Sequence, residues 1–151
     1  GRPALARRIG GEGRSRQVLL VEPNDGAGGR GLTITQRDVR ELQLAKGAIR
    51  AGIEILLKEL DATPEDVKVV YLAGAFGNYI APQSALTIGL MPAFPNARLE
   101  PIGNAAGTGA RMALLSRTER ENATAILAQV QYLELSGRPD FQEQFAEAML
   151  F

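Results

Sequence analysis

One segment, residues 67–80, constrains the fold of this chain more than any other. It reads Val-Lys-Val-Val-Tyr-Leu-Ala-Gly-Ala-Phe-Gly-Asn-Tyr-Ile. The run from Val67 to Tyr71 is rich in β-branched residues and predicts a buried strand. The small residues up to Gly77 predict a turn with an accessible backbone. A strand that leads through such a turn into a helix is how open α/β sheets form nucleotide sites. The alternative is a plain turn, in which glycine serves backbone geometry alone.

A second cluster of small residues, Gly103–Ala110, follows another strand candidate, Leu99–Ile102. If the two strands run parallel, both turns open at the same edge of one sheet and form a slot lined by backbone amides. Such a slot suits a nucleoside with a phosphate tail better than a purely apolar ligand. Asn78 and Asn104 stand beside the turns, where they either hydrogen-bond a ribose or base or cap the turns themselves.

The remaining pattern predicts one α/β domain without an internal linker. Residues 17–21 and 32–34 predict a hairpin, and residues 36–61 a long helix that begins after a Thr35 cap. Shorter helices are predicted at 82–89, 117–130 and close to the end of the chain, with Tyr132–Leu135 either a strand or a helix tail. Residues 1–16 contain five arginines. We interpret them as a flexible lead-in rather than an anion-binding arm.

The long helix has features that decide how it packs. One apolar stripe of residues spaced three or four apart is typical of an amphipathic helix. The stripe comprises Leu42, Ala45, Ile49, Ile53, Leu56 and Leu60. Gly47 and Gly52 indicate close approach by another element, with helix-on-sheet packing as the preferred explanation. Lys46 and Arg50 lie on the polar side, where they would either reach a bound purine or remain solvated.

Composition excludes several classes of function. The 151 residues contain 17 Lys and Arg and 17 Asp and Glu, and a zero net charge argues against binding nucleic acid or an anionic membrane. Cysteine and histidine are both absent, so the chain offers no thiolate metal site, cysteine nucleophile or Ser-His-Asp triad. We assign no catalytic residue and no metal ligand. Without a membrane-length apolar run or a signal peptide, a cytoplasmic location is the default.

Residues 70–77 resemble the adenosine motif of the acetate and sugar kinase, heat-shock chaperone and actin superfamily of ATPases. Residues 102–110 resemble the helix-opening segment that follows this motif. Stretches 34–39, 44–53, 74–80, 88–92 and 132–136 resemble, in the same order, the C-terminal part of the ATP-dependent reductive activators of corrinoid proteins. The resemblance covers about residues 17–151 and implies the second, adenosine-side lobe of an actin-like, ribonuclease H-like ATPase fold.

The resemblance implies a protein that returns cobalt(II) corrinoid to cobalt(I) with ATP, with a corrinoid protein as its partner and a possible homodimer. ATP and Mg²⁺ would be the cofactors of the full-length protein, and an iron–sulfur cluster would lie upstream of this chain. The implied cofactor-binding residues flank the two strand ends. They are Gly74, Ala75, Phe76, Gly77, Asn78, Gly103 and Asn104.

The chain departs from the superfamily pattern in its phosphate-binding parts. ATPases of this kind need two hairpins of the Asp-x-Gly type, with an acidic residue for Mg²⁺ and for the attacking water. The nearest copy, Asp25-Gly26-Ala27-Gly28, lies in a polar loop without the strand pattern expected to flank such a hairpin. We therefore expect no ATPase activity from this chain alone. Two alternatives stay open: an interaction or dimerisation module built around Phe141, Phe145, Met149 and Phe151, and part of a small-molecule kinase of the same superfamily.

Overall fold

The computed structural model describes residues 6–23, 27–29, 31–74 and 79–151. The chain divides into two compact units, residues 1–45 with Leu150 and residues 46–149 with Phe151. The units are therefore described one at a time. Within the described ranges, no helix combines the length and the apolar character that crossing a membrane would require.

The first unit contains a three-stranded antiparallel sheet in the order β1-β2-β3. Its strands are β1 (Ile9–Gly10), β2 (Gln17–Val21) and β3 (Leu32–Thr35). The predicted hairpin is confirmed, because Val18 pairs with Ile34 across β2 and β3. The outer strand β1 lies within the predicted lead-in, where Ile9 pairs with Val18. That part of the lead-in is thus held in a sheet by main-chain hydrogen bonds.

The longest helix, α1, runs from Gln36 to Glu59, close to its predicted extent. Thr35 and Asp38 close its first turn, as the sequence predicted. The Thr35 hydroxyl donates to Oδ2 of Asp38 at 2.7 Å, and the Thr35 N–H donates to the same oxygen at 2.8 Å. These two hydrogen bonds, the hydroxyl bond first, lower the pKa of the Asp38 carboxyl. The cap fixes where the helix begins.

The second unit contains a two-stranded parallel sheet of β4 (Val69–Ala73) and β5 (Arg98–Gly103). The N–H of Arg98 donates to the carbonyl of Lys68 at 3.1 Å, which sets the pairing at the start of β5. Both predicted strands are present, but the prediction that the first is buried is wrong, since Tyr71 of β4 is 57% exposed. The strand β5 contains Pro101, which lies opposite Leu72. Proline lacks an N–H and is tolerated at the free edge of a sheet. Accordingly, β4 is the only strand that pairs with β5 in the described part of the chain.

Four shorter helices follow among the described residues of the same unit. They are α2 (Pro82–Thr87), α3 (Ala105–Leu115), α4 (Arg117–Leu127) and α5 (Pro139–Ala148). Proline starts α2 and α5 at a position where its missing N–H costs nothing. Ser116 ends α3 and caps α4, since its side chain accepts a hydrogen bond from the N–H of Glu119. The stretch Tyr132–Leu135 has no regular structure, so neither of the two predictions for it is confirmed.

The buried side of α1 is formed by small residues. Ala51 and Ile55 are almost fully buried together with Gly47 and Gly52. By contrast, the apolar stripe is largely exposed: Ile49 and Leu56 are each 49% accessible. A Cβ at Gly47 would lie 3.0 Å from Met149 and 3.3 Å from the Phe145 ring. The predicted close approach is confirmed, but its preferred explanation is wrong: the C-terminal helix α5, rather than the sheet, lies against Gly47.

Ion pairs connect the end of α1 to the start of α5. Arg138 donates to Glu59 at 2.7 Å and to both carboxylate oxygens of Asp140 at 3.0 Å. Lys58 donates to Asp140 at 3.2 Å. These contacts, the Arg138 hydrogen bond first, hold the pKa of the Asp140 carboxyl well below its usual range. Together with Leu135, the nearest side chain to Gly52 at 3.6 Å, they fasten the C-terminal segment along α1.

Candidate functional site

The carboxyl ends of β4 and β5 meet at one edge of the parallel sheet. Ala73, the last residue of β4, lies opposite Gly103, the last residue of β5, after a register shift between Leu72 and Ala73. The first glycine turn begins at Gly74 and the helix-opening segment begins at Asn104, so the two segments start side by side. The sequence predicted this juxtaposition from a parallel pairing, and the pairing is confirmed.

Both glycines at this edge adopt a backbone conformation that few other residues adopt. Gly74 has φ of 76° and Gly103 has φ of 60°. Among the described residues, no heavy atom outside its immediate neighbours lies within 4 Å of a Cβ built on Gly74. The left-handed conformation turns the chain sharply after each strand.

Asn104 caps the helix that opens at this edge. Its Oδ1 accepts a hydrogen bond of 2.9 Å from the N–H of Gly107, in the first turn of α3. The capping role that the sequence left open for Asn104 is therefore observed. A Cβ on Gly107 would lie 2.5 Å from Nδ2 of Asn104, so the cap requires glycine at that position. The positive end of the α3 dipole lies at the same edge and favours a negatively charged group there.

Four of the predicted site residues, Ala75, Phe76, Gly77 and Asn78, lie outside the described residues, as does the Asp25-Gly26 part of the nearest Asp-x-Gly sequence. Gly74, Gly103 and Asn104 are the described part of the predicted site. What this part presents is main chain, a capped helix start and open space. It offers a ligand amide hydrogen-bond donors and a favourable dipole rather than a nucleophile or a base.

The chemistry of the donors argues against a metal centre built by this chain. Among the residues that the structure describes, no three His, Cys, Asp or Glu side chains lie close enough to hold a metal ion together. The sequence has no cysteine, so the chain has no thiolate for an iron–sulfur cluster. Neither Mg²⁺ nor a cluster fits a described set of ligands in this chain.

Lys46 and Arg50, which the sequence placed on a polar helix face, both contact main-chain carbonyls. Lys46 is 2% exposed, so the prediction of a solvated side chain is wrong. Its Nζ donates to the carbonyl of Ala148 at 2.7 Å and lies 4.8 Å from the centre of the Phe151 ring. Arg50 donates to the carbonyl of Met91 at 3.2 Å. Burial first, and then the charge of Arg50, lower the pKa of Lys46.

These contacts were missed in the sequence because a lysine in a helix normally extends into solvent. One sequence signal points to them. Lys46 immediately precedes Gly47 and lies five residues before Ala51, so it borders the face of α1 that small residues leave open. A long side chain beside such a face can cross to the neighbouring helix.

Comparison with known proteins defines the class. A family model described as the C-terminal domain of RACo, the ASKHA domain, matches residues 3–151. The chain belongs to this family. The resemblance to reductive activators of corrinoid proteins and the α/β actin-like fold class predicted from the sequence are thereby confirmed.

Two proteins similar to this chain have roles in the activation or reduction of corrinoid proteins. The corrinoid activation enzyme RamQ of Eubacterium limosum is 37% identical over 140 residues, which are 93% of this chain and 24% of that protein. The [Co(II) methylated amine-specific corrinoid protein] reductase of Methanosarcina barkeri is 30% identical over 102 residues, 68% of this chain and 19% of that protein.

A solved structure shows the same architecture. The reductive activator for corrinoid, iron–sulfur protein matches 99% of this chain with a TM-score of 0.83 and 32% sequence identity. The match covers 24% of that longer chain. This chain thus spans about a quarter, or less, of the length of the relatives it matches.

Proposed function

We propose that this chain is the adenosine-side lobe of an ATPase domain in an iron–sulfur protein that reactivates corrinoid proteins. The whole protein would use ATP to drive the reduction of cobalt(II) corrinoid to cobalt(I). The pairing of Ala73 with Gly103 carries the proposal, because it brings two glycine-containing strand ends to one edge. The corrinoid substrate is inferred from the roles of RamQ, the Methanosarcina barkeri corrinoid protein reductase and the reductive activator.

Within this lobe, the described residues would bind and orient the nucleotide. The open main chain at Gly74 and the turn at Gly103 admit a flat nucleoside. The first turn of α3, capped by Asn104, faces the phosphate tail with its amide donors. Ala75, Phe76, Gly77 and Asn78 complete the proposed adenosine site. Residues 17–151 form the lobe in this proposal.

Hydrolysis of the phosphate bond is assigned to parts outside this chain. Phosphoryl transfer depends on positioning and charge neutralisation by phosphate hairpins and Mg²⁺, and no described carboxylate cluster holds Mg²⁺ here. Because this sequence has no cysteine, an iron–sulfur cluster of the whole protein would be bound by other residues. The 151-residue chain alone is therefore expected to bind adenosine nucleotides without turning them over, in a cytoplasmic protein.

Calorimetric titration of the chain with adenosine, ADP and ATP tests the proposal. We expect binding of all three, because the contacts concern the part they share. Gly74→Ala should weaken each affinity, since the φ of 76° at this position disfavours a side chain. Gly137→Ala is the control, because a Cβ there meets open space and its φ is ordinary. Absence of binding by the wild-type chain, or equal affinities of a folded Gly74→Ala variant, contradicts the proposed site.

The residues that suggested an interaction or dimerisation module are engaged within the second unit. Phe145 and Met149 lie against Gly47, and the rings of Phe141 and Phe145 stack with centres 6.1 Å apart. These three side chains are nevertheless only half-buried, and Phe151 is 69% exposed, so this alternative stays open. A corrinoid protein is the proposed partner of the whole protein, and no nucleic-acid or membrane partner is proposed. A homodimer stays a prediction.

A further inference from the structure

A turn between α2 and β5 is held by Arg50, a cation of α1. This connecting turn comprises residues 88–92 and lies between α2 and β5. Upstream, α2 follows the first glycine turn, and downstream, β5 ends at Gly103. The connecting turn is followed by residues 93–97 and then by β5, which ends at Gly103 on the candidate nucleotide edge.

On its α2 side, the connecting turn is a rigid helix ending. Gly89 has φ of 72°, its N–H donates to Leu86, and the N–H of Leu90 donates to Ala85 at 2.9 Å. This is the Schellman arrangement, in which a left-handed glycine closes the last helical turn. Met91 follows Leu90, and its side chain is buried in the interior, with only 4% of it exposed.

Arg50 supplies the remaining restraint, from a different element. Its Nη1 donates to the carbonyl of Met91 at 3.2 Å, and its Nε donates to Glu54 at 2.8 Å. Glu54 lies one turn further along α1 and orients the guanidinium. The side chains of Arg50 and Glu54 are only 33% and 32% exposed. Lys46, one turn earlier, approaches the same connecting turn: a Cβ on Gly89 would lie 3.6 Å from its Nζ.

We infer that Arg50 is a positioning residue for the nucleotide edge and acts through the carbonyl of Met91. It fixes the connecting turn and, through β5, the position of Gly103 at that edge. The inference rests on the proposed adenosine site for its functional consequence. It differs from a purine contact by Arg50, because the guanidinium is already engaged by Met91 and Glu54.

The test compares Arg50→Met with Arg40→Met, which changes an exposed arginine of the same helix. If Arg50 positions the edge, Arg50→Met weakens adenosine, ADP and ATP by the same factor of about ten, the size of one lost hydrogen bond to a charged group. Arg50→Lys, which can still donate to Met91, recovers part of the affinity. Glu54→Gln, which loses only the orienting charge, gives a smaller loss.

Three outcomes overturn the inference. A loss confined to ADP and ATP indicates direct phosphate contact by Arg50. A lower unfolding temperature with unchanged affinities indicates a purely structural role. An effect of Arg40→Met as large as that of Arg50→Met indicates a general charge effect.

A ligand-free measurement separates this inference from the proposed function. Amide hydrogen exchange in Arg50→Met should rise at residues 103–107 as well as at 88–92, and it should stay unchanged in Arg40→Met. Faster exchange confined to residues 88–92 overturns the inference, whether or not nucleotide binds. If the wild-type chain binds none of the three ligands, the proposed function fails, and the exchange at residues 103–107 still decides whether Arg50 controls the edge.

Discussion

The ammonium group of Lys46, in the middle of α1, donates a hydrogen bond of 2.7 Å to the carbonyl of Ala148 in the last turn of α5. The last carbonyls of a helix have no partner within that helix, and they carry the negative end of its dipole. The buried ammonium group gives the Ala148 carbonyl a donor and also neutralises the negative end of the α5 dipole. One side chain thereby joins two sequence-distant helices of the second unit.

Replacing Lys46 should loosen the C-terminal helix. Lys46→Met keeps the apolar stem but removes the donor to Ala148, and a hydrogen bond to a charged group contributes about 1.5–3 kcal/mol. Relief of the buried charge offsets part of this loss. The expected result is faster amide exchange at residues 145–149 and a lower free energy of unfolding. Lys58→Met, which breaks an exposed pair, should cost less than about 1 kcal/mol. Equal effects of the two variants would contradict the assignment.

The two glycines of α1 should respond differently to substitution. Gly47→Val places atoms against Phe145 and Met149, and overpacking of this kind costs about 1–3 kcal/mol. Gly52→Ala meets only Leu135, at an ordinary 3.6 Å. Because alanine is the better helix former, it should raise stability by about 0.5–1 kcal/mol. Chemical denaturation of both variants measures the difference, and a stabilising Gly47→Val would refute the close packing of α5.

Acid should destabilise the C-terminal segment, through the contacts of Glu134 inside the segment and of Asp140 with α1. The hydroxyl of Ser136, with Tyr132 and the Ser136 N–H, lowers the pKa of Glu134 to about 2, and Arg138 lowers that of Asp140. Carboxyls with depressed pKa values bind protons less readily when folded, so their stabilisation is present above about pH 4 and is lost as pH falls through the folded pKa.

Denaturation at a series of pH values between 5 and about 2 checks this effect. The wild-type free energy of unfolding should fall with pH, and Asp140→Asn and Glu134→Gln should each flatten that fall. Glu143→Gln, an exposed change in the same helix as Asp140, serves as the control. Unaltered pH profiles in both test variants would show that these carboxyls do not hold the segment.

Asn104 should separate the stability of α3 from nucleotide binding. Asn104→Ala removes the cap on Gly107 and should cost about 1 kcal/mol. Asn104→Asp keeps an acceptor for the Gly107 N–H and should preserve the stability. Its carboxylate would lie beside the phosphate tail of a bound nucleotide, so ATP affinity should fall more than adenosine affinity. Calorimetry on both variants measures the contrast, and parallel losses for the two ligands would place the phosphates elsewhere.

The local features of this fold can be predicted from the sequence. Thr35 and Asp38 form the first turn of α1 where the capping pattern predicts it. The strands β4 and β5 follow from runs of β-branched and apolar residues, whereas their parallel pairing was a condition of the prediction and is observed only in the structure. In each case the signal lies within a few neighbouring residues.

The sequence pattern did not predict which face of α1 is buried. The stripe with Ile49 and Leu56 is the obvious core face, but the buried face contains Gly47, Ala51 and Gly52. Small residues bury little area, so they give a weak periodic signal, although they allow the closest helix approach. The roles of Lys46 and Arg50 depend on carbonyls 102 and 41 residues away. Nothing local in the sequence specifies such partners.

Pro101 determines on which side of the parallel sheet a further strand would pair. The N–H of Arg98 faces β4, and because successive amides of a strand alternate in direction, position 101 faces the opposite side. The missing donor of Pro101 therefore lies on the outer edge of β5 and leaves a gap in any ladder formed there. A strand added from elsewhere in a longer protein would find a continuous row of donors and acceptors only along β4. The proposed nucleotide edge would then lie near the centre of the enlarged sheet, and β5 would be its edge strand.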